Sequence, residues 1–352
     1  MQLPLPRGPL SRAVIEALAS TPTGAPVVAD PDAAVRDLAD PLADDDLQLT
    51  LWVLYELHYR GFDEVDPARE WDPELIRVRG ACERVFEQSL RDLTAQTVAR
   101  GAAVEEGDDN LAERLFTLTG SFDGPALAGY LHRSATAEQL TEFLVQRSIY
   151  QLKESDPSSF VIPRLDGVPK AALVELQYDE YGDGHAERIH ATLYGDALEA
   201  CGLDRSYGAY LDRVPAITLA VNNAMSLFGL HRRLRGAALG HLGAFEATSS
   251  LPSRRIAAGI RRLGLAEEAA AYFDEHVEAD AVHEQLALRL ICGGLVEQDP
   301  ALEPDVLLGA ATCLHLDALA ADQLLTAWQA GRSSLREVPG GRPTAASRPV
   351  AS

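Results

Sequence analysis

Three residues in the last third of the chain have the types and the spacing of a metal site. His276, Asp280 and His283 lie within the run from Leu265 to about Cys292, which is rich in Ala, Leu and Glu, lacks proline and is predicted to be a helix. Their spacing of i, i+4 and i+7 places all three on one helix face. A carboxylate between two imidazoles suits a first-row metal such as Fe, Mn or Zn. The alternative is a charged helix surface that carries two histidines beside an aspartate.

Two carboxylates on earlier helices could complete such a site. The segment from Thr136 to Glu154 begins with a capping box, and Glu154 is expected in its last turn. An acid at that position opposes the helix dipole, and a bound cation would offset the cost. Glu246 is the only acid in the small-residue segment 239–248, so its burial would require a partner.

Glu180 and His190 flank a Gly-Asp-Gly segment in the helix predicted from Pro169 to about Cys201. Each glycine costs roughly 1 kcal/mol in a helix interior. On an ideal helix the two side chains would stand about 15 Å apart along the axis, so they can share a metal site only if the segment unwinds. Glu187-x-x-His190 has the spacing of ferritin-like di-iron bundles, but the sequence contains no second Glu-x-x-His.

The composition favours an all-α protein and excludes several classes of partner. Only 6% of the residues are aromatic, and β-branched runs are few. A formal net charge of −22 argues against binding to nucleic acid or anionic lipid. The four cysteines form no Cys-x-x-Cys pair, which argues against a zinc knuckle or a thioredoxin-type site. Four cysteines in so long a chain are not a disulfide scaffold, which fits a cytoplasmic setting. No window approaches the roughly 20 apolar residues of a membrane span, so no membrane partner is expected.

The chain is predicted to comprise three parts. Residues 1–125 have helical periodicity without clustered chemistry and are expected to cover the core or to form a dimer interface; within them, Glu56 and His58 face different ways on a helix and are interpreted as packing or surface groups. Residues 126–331 carry the candidate ligands and form the predicted catalytic domain. Residues 332–352 are rich in Pro, Gly, Ser and Ala and are predicted to be a disordered tail.

From about Thr136 to Leu295 the sequence resembles the haem-oxygenase-like di-iron oxidases and oxygenases. The phrases YQLKESDP and DEYGDG are similar to that family, and the terminal His-x3-Asp-x2-His is the most specific part of the match. The matching pattern consists, in order, of Glu154, Glu180, His190, Glu246, His276, Asp280 and His283.

The resemblance implies a haem-oxygenase-like seven-helix bundle with an additional N-terminal helical region. It implies two Fe(II) ions as the cofactor, with O2 as co-substrate, and makes the residues of the pattern metal ligands. Glu180 matches the extra carboxylate of the family's N-oxygenases, although it could instead lie behind the direct ligands.

The implied reaction is oxidation of an amino acid or a related amine in natural-product biosynthesis. It would proceed by N-oxygenation, or by C–H cleavage leading to desaturation, cyclisation, or C–C or C–N cleavage. An external electron donor and a homodimer are compatible with this interpretation. The alternatives are a non-catalytic haem or small-molecule carrier on the same fold, and a ferritin-like iron oxidase that uses Glu187 and His190.

Overall fold

The regular structure is helical, as the composition predicts. The computed structural model describes residues 1–21, 24–103 and 110–338, except for the side chains of residues 278–282. Over these residues the chain forms helices and short 3-10 turns, without a strand. The helices in chain order are α1 (Pro9–Leu18), α2 (Pro31–Val35), α3 (Asp45–Glu56), α4 (Pro73–Ala102), α5 (Leu111–Ser121), α6 (Leu127–Arg133), α7 (Ala137–Gln151), α8 (Asp156–Ser159), α9 (Gly167–Glu180), α10 (His190–Ala200), α11 (Ala216–Leu230), α12 (Arg235–Arg262), α13 (Glu267–Gln285), α14 (Gly294–Gln298) and α15 (Glu303–Gln329).

Helix α7 begins as predicted but ends earlier. The capping box is present, with the Thr136 hydroxyl accepting from the Gln139 amide and the Gln139 side chain accepting from the Thr136 amide. The helix ends at Gln151, so Glu154 lies in the following turn and not in the last helical turn. The chain turns there because Ser155 adopts a left-handed backbone, with φ of 69°, which a right-handed helix cannot contain.

The single helix predicted from Pro169 to Cys201 is divided into α9 and α10. Gly182 has a φ of 73°, and an added Cβ there would lie 2.6 Å from the backbone of both Arg188 and Ile189. Only glycine fits this close approach, which folds the connecting segment back on itself. The Gly-Asp-Gly segment is therefore unwound from the α-helix, as a shared site for Glu180 and His190 requires.

Helices α12 and α15 cross with their backbones in close contact at the centre of the molecule. An added Cβ at Gly240 would overlap the carbonyl oxygen of Val306, and one at Gly309 would overlap that of Ala237.

Helix α13 continues without interruption into a π-helical segment, Leu286–Gly293, and then α14. Within that segment the Cys292 thiol donates to the Leu239 carbonyl of α12 at 3.2 Å. Such π segments occur frequently beside functional sites.

The N-terminal helices share a hydrophobic core with the helices that follow residue 126. One cluster of buried side chains includes Trp52 and Phe86 together with Phe228 and Leu307. A second cluster lies between α6, α7, α10, α12, α13 and α15. This packing agrees with a covering role for the first region, whereas the domain boundary at residue 125 stays a prediction. The four cysteines are free.

Residues 332–338, at the start of the predicted tail, have side-chain partners on the helices. Ser334 is buried, and its hydroxyl donates to the Glu142 carboxylate of α7 at 2.8 Å. The Arg336 guanidinium donates to Asp45 of α3 at 3.0 Å. Residues 339–352 of the predicted tail, like the acidic loop 105–109, lie outside the described residues.

One helical stretch, Pro300–Gln329, is long and apolar enough to cross a membrane by length and composition, contrary to the sequence expectation. Its most apolar window has a mean hydropathy of 1.2, and 61% of that window is buried inside the protein. A core helix passes the same test, so the test alone gives only weak evidence for a membrane span.

Candidate metal centre

Six of the seven predicted ligands lie together as two buried groups of three. Within each group, one donor atom from each residue lies within 4.8 Å of the other two. The first triad is Glu154, His190 and His276, and the second triad is Glu180, Glu246 and His283.

Five parts of the fold supply these side chains. The turn after α7 carries Glu154, α9 ends with Glu180, α10 begins with His190, α12 carries Glu246, and α13 carries His276 and His283. The seven-residue spacing on α13, about two helical turns, allows one helix to provide a histidine to each triad. In the first triad, the rings of His190 and His276 lie 4.7 Å apart between centroids.

The carboxylate of Glu180, which belongs to the second triad, also approaches the first triad. Its Oε2 is 3.1 Å from Nδ1 of His190, and its Oε1 is 3.6 Å from Nδ1 of His283. One carboxylate therefore approaches a histidine of each group with a different oxygen. This is the position of a group that could bridge two metal ions.

Neighbouring acceptors fix the orientation of the two histidines on α13. Nδ1 of His276 donates to the Tyr272 carbonyl at 2.8 Å, and its Nε2 faces Glu154 at 3.6 Å. Nε2 of His283 donates to the Asp179 carboxylate at 2.7 Å, and its Nδ1 faces Glu246 at 3.3 Å. Partners of this kind fix the tautomer and the ring orientation of metal-binding histidines.

The sequence analysis missed these partners and those of the carboxylates. The Tyr272 hydroxyl donates to Glu154 at 2.8 Å, and the Gln151 amide donates to Glu154 at 3.3 Å. The Ser155 hydroxyl donates to Glu180 at 3.0 Å. The available signals were weak: Tyr272 precedes His276 by one helical turn, and Asp179 is adjacent to Glu180.

Without a metal, the charges of the cluster balance through protons on the histidines. Burial opposes ionisation of Glu180, but its contact with His190 and the positive charges of His276 and His283 prevail and lower its pKa to about 2. Burial lowers the pKa of His283, but the carboxylates of Glu246, Glu180 and Asp179 prevail and raise it to about 9. Cations entering such a cluster would displace these protons.

The donor atoms fit a pair of metal ions. Within the described part of the chain, Nδ1 of His190 and Nδ1 of His283 form no hydrogen bond, although each lies close to a carboxylate oxygen. Buried polar atoms are rarely left without a partner, and nitrogens directed at a shared ion would explain the arrangement. Two histidines and one carboxylate, as in the first triad, are typical of non-haem Fe(II) sites.

The remaining candidates have different outcomes. The backbone of Asp280 lies in α13 between the two histidines, but its side chain is outside the described residues, so its role as a ligand stays a prediction. Glu187 of the ferritin-like alternative is exposed and faces His185 at 3.8 Å, away from both triads. The Glu-x-x-His spacing therefore does not pair Glu187 with His190, because the segment between them is not α-helical.

Glu56 has a larger role than the packing or surface group expected. It is fully buried, and one of its oxygens lies 3.5 Å from the Lys153 ammonium and accepts from the Tyr207 hydroxyl at 2.7 Å. The ammonium also lies over the Tyr59 ring, 4.3 Å from its centroid. Because Lys153 immediately precedes Glu154, this buried ion pair attaches α3 to the turn that carries a candidate ligand.

Comparison with known proteins gives the same family as the sequence pattern. Proteins described as iron-containing redox enzymes match residues 141–318, slightly more than half of the chain. A nitrosourea synthase from Streptomyces achromogenes subsp. streptozoticus is 25% identical over 221 residues, covering 63% of this chain. The chain spans less than half the length of that curated relative, because the match covers 46% of it. The predicted family and its haem-oxygenase-like fold are confirmed: the chain belongs to the iron-containing redox enzyme family.

Proposed function

We propose that the protein is an O2-dependent non-haem di-iron oxidase or oxygenase that acts on an amino acid or a related amine in natural-product biosynthesis. The observation that carries the proposal is the pair of buried triads, in which Glu180 of the second triad also approaches His190 of the first. Family membership supports iron-dependent redox chemistry. The similarity to a protein named nitrosourea synthase supports a nitrogen-containing substrate.

The chain's own residues would hold and orient the cofactor. Two bound ferrous ions would supply the electrons for O2 reduction, chemistry that side chains alone do not provide. The first triad would hold one ion and the second triad the other, and Glu180 of the second triad also lies beside His190 of the first. Burial raises the pKa of Tyr272 well above its usual range, as does the negative charge of Glu154, so its hydroxyl stays protonated and donates to that ligand.

The proposal includes two types of reaction, N-oxygenation of an amine and cleavage of a C–H bond. The contact of Glu180 with both triads favours N-oxygenation, because the family's N-oxygenases have the extra carboxylate at this position. An external donor would return the metal centre to its ferrous state. Both types of reaction would use the same metal site, and they differ in the bond of the substrate that is oxidised.

An anaerobic Fe(II) titration followed by exposure to O2 tests the proposal. We expect two iron ions per chain by elemental analysis, and O2 uptake that one of a panel of amino acids accelerates. His276→Ala and His283→Ala should each reduce the bound iron. His315→Ala is the matched control, because this histidine of α15 bonds to Thr97 and belongs to neither triad. Iron binding that is absent, or unaffected by both triad variants, would refute the di-iron assignment.

The same samples distinguish the alternative functions. A haem carrier would show a Soret band after purification and would use only one axial histidine. A ferritin-like store would take up many irons per chain. The proposed enzyme should show neither property.

A further inference from the structure

A cavity of about 460 Å³ lies between α6, α7, α11, α12 and α15. Its volume is typical of a site for one small organic molecule. The described triad residues do not line it. Much of its wall is apolar and includes Leu131, Phe143, Val221, Met225, Ile256 and Leu314.

Two aromatic residues of the cavity wall are close along the chain to candidate ligands. Tyr150 and Phe245 both line it, and their rings meet edge to face with centroids 5.4 Å apart. Phe245 immediately precedes Glu246 in α12. Tyr150 precedes Glu154 by four residues. Both of these residues of the cavity wall are therefore close along the chain to a residue of a triad.

Arg147 and Asp317 form a loose ion pair in the cavity wall, and a second arginine, Arg255 of α12, also lines the cavity. Nη1 of Arg147 lies 3.5 Å from Oδ1 of Asp317, and each side chain keeps about a third of its surface accessible, at 33% and 37%. A guanidinium binds a carboxylate with two parallel hydrogen bonds, and a carboxylate binds an ammonium group. The pair is thus complementary to a zwitterion. A bound zwitterion would replace the long contact between Arg147 and Asp317 with one ion pair to each of them.

Two buried polar atoms in the cavity wall have no hydrogen-bond partner within the described residues. They are Nε2 of His241 and Oδ1 of Asn222, whose residues are 4% and 2% exposed. Burial lowers the pKa of His241 to about 4, so the ring is neutral near pH 7 and offers one N–H and one lone pair. Buried polar atoms of this kind indicate a ligand with hydrogen-bonding groups of its own.

We propose that this cavity binds the substrate as a zwitterionic α-amino acid with a long, largely apolar side chain, its carboxylate on Arg147 and its ammonium group on Asp317. This inference rests on the proposed function and specifies its substrate. Arg147 precedes Glu154 by seven residues, roughly 10 Å along α7 and the following turn. The distal end of the side chain reaches past Tyr150 and Phe245 and is the part presented to the metal centre.

Calorimetric titration of the full chain loaded with redox-silent Zn(II) tests the inference without turnover. The probes are L-tyrosine, L-tryptophan, L-phenylalanine and L-leucine, each compared with its decarboxylated amine and its deaminated acid. At least one intact amino acid should bind 10-fold or more tightly than both of its analogues. Failure of all four to bind at 10 mM, or equal binding of the analogues, would overturn the proposal on the parent protein itself.

Two variants assign the charges. Arg147→Met should weaken binding of the amino acid and of the deaminated acid at least 10-fold and leave binding of the amine unchanged. Asp317→Asn should weaken binding of the amino acid and of the amine and leave binding of the deaminated acid unchanged. Arg254→Met and Asp322→Asn, at exposed positions outside the cavity, are the controls. Arg147→Lys should recover part of the affinity if Arg147→Met folds poorly. Unchanged affinity in both charge variants would also overturn the proposal. Because binding is measured without iron or O2, a failure here is distinct from a failure of the iron titration.

Discussion

Tyr272 contacts two candidate ligands that are far apart in the sequence. Its carbonyl accepts from His276, one turn later in α13, and its hydroxyl donates to Glu154 beyond α7. The same residue thereby orients a nitrogen and an oxygen of the first triad. In other metal sites, loss of a hydrogen-bond partner of a ligand typically weakens metal binding 10- to 100-fold.

Replacement of Tyr272 by Phe should therefore reduce affinity for metal with little change in packing, because the ring is kept and only the hydroxyl is lost. We expect the dissociation constant for Mn(II) at the first triad to rise roughly 10-fold in an anaerobic titration. Tyr130→Phe is the control, since that hydroxyl bonds to Gln139 outside the site. Parent-like affinity in Tyr272→Phe would show that the hydroxyl does not support the ligand.

His283 predicts the pH dependence of the metal-free protein. Its pKa is raised to about 9 in the folded chain, against 6.5 for an ordinary histidine. A raised pKa means that the folded state binds the proton more tightly. The contribution to the free energy of unfolding is therefore complete below about pH 6.5 and is lost as the pH rises through 9.

Urea unfolding of the metal-free protein at pH 6.5 and pH 9 measures this effect. The parent should lose on the order of 1–3 kcal/mol more over this interval than His283→Gln, which has no such proton to release. The same pH dependence in both proteins would assign the loss to other groups.

At the scale of the elements, the connection between α9 and α10 determines whether Glu180 and His190 can meet. Gly182 and Gly184 both have a positive φ, at 73° and 82°, but their surroundings differ. A Cβ at Gly182 would collide with the backbone of residues 188–189, whereas one at Gly184 would meet nothing within 4 Å. Substitution of Gly184 is therefore a control for substitution of Gly182, because only Gly182 makes the close backbone contact.

Gly182→Ala should disrupt the connection and displace His190 from Glu180, whereas Gly184→Ala should cost only the strain of its backbone, about 1 kcal/mol. We expect Gly182→Ala to lose most of its Mn(II) affinity in the anaerobic titration, and Gly184→Ala to retain it. Thermal melts would show whether both variants fold. Equal metal affinity in the two variants would contradict the role given to the close approach at Gly182.

At the scale of the whole molecule, the buried pair of Glu56 and Lys153 joins the N-terminal helices to the metal centre. Burial lowers the pKa of Lys153, and the charge of Glu56 partly offsets this. Two charges buried in this way depend on each other: removal of one partner leaves the other without compensation, whereas removal of both can be nearly neutral.

Glu56→Gln alone should lower the free energy of unfolding by about 3–5 kcal/mol, because it leaves the lysine buried without its counter-charge. The double variant Glu56→Gln with Lys153→Met should recover most of this loss. Urea unfolding of the two single variants and the double variant measures the coupling. Glu16→Gln, at an exposed position of α1, controls for loss of a carboxylate. If the losses in the single variants simply add in the double variant, the two groups are not coupled.

The sequence alone was sufficient for properties that depend on local order. Helical periodicity predicted which segments are helical, although not the end of α7 or the break between α9 and α10. The Thr136 capping box located the start of α7. Both signals involve residues within one turn of each other. The spacing of His276 and His283 likewise followed from one helix. The upstream ligand positions came from the resemblance to a family, and the structure places the described ones beside those histidines.

Only the tertiary structure decided how distant parts of the chain meet. It brought Glu180 beside a histidine of each triad through a left-handed turn at Gly182, and it added Asp179 and Tyr272 as partners of the ligands. The ion pair of Glu56 with Lys153 and the cavity between five helices also bring together residues from separate elements. Such contacts depend on how the helices pack. The periodicity of a helix indicates which of its faces is buried, but not which residue of another helix contacts that face.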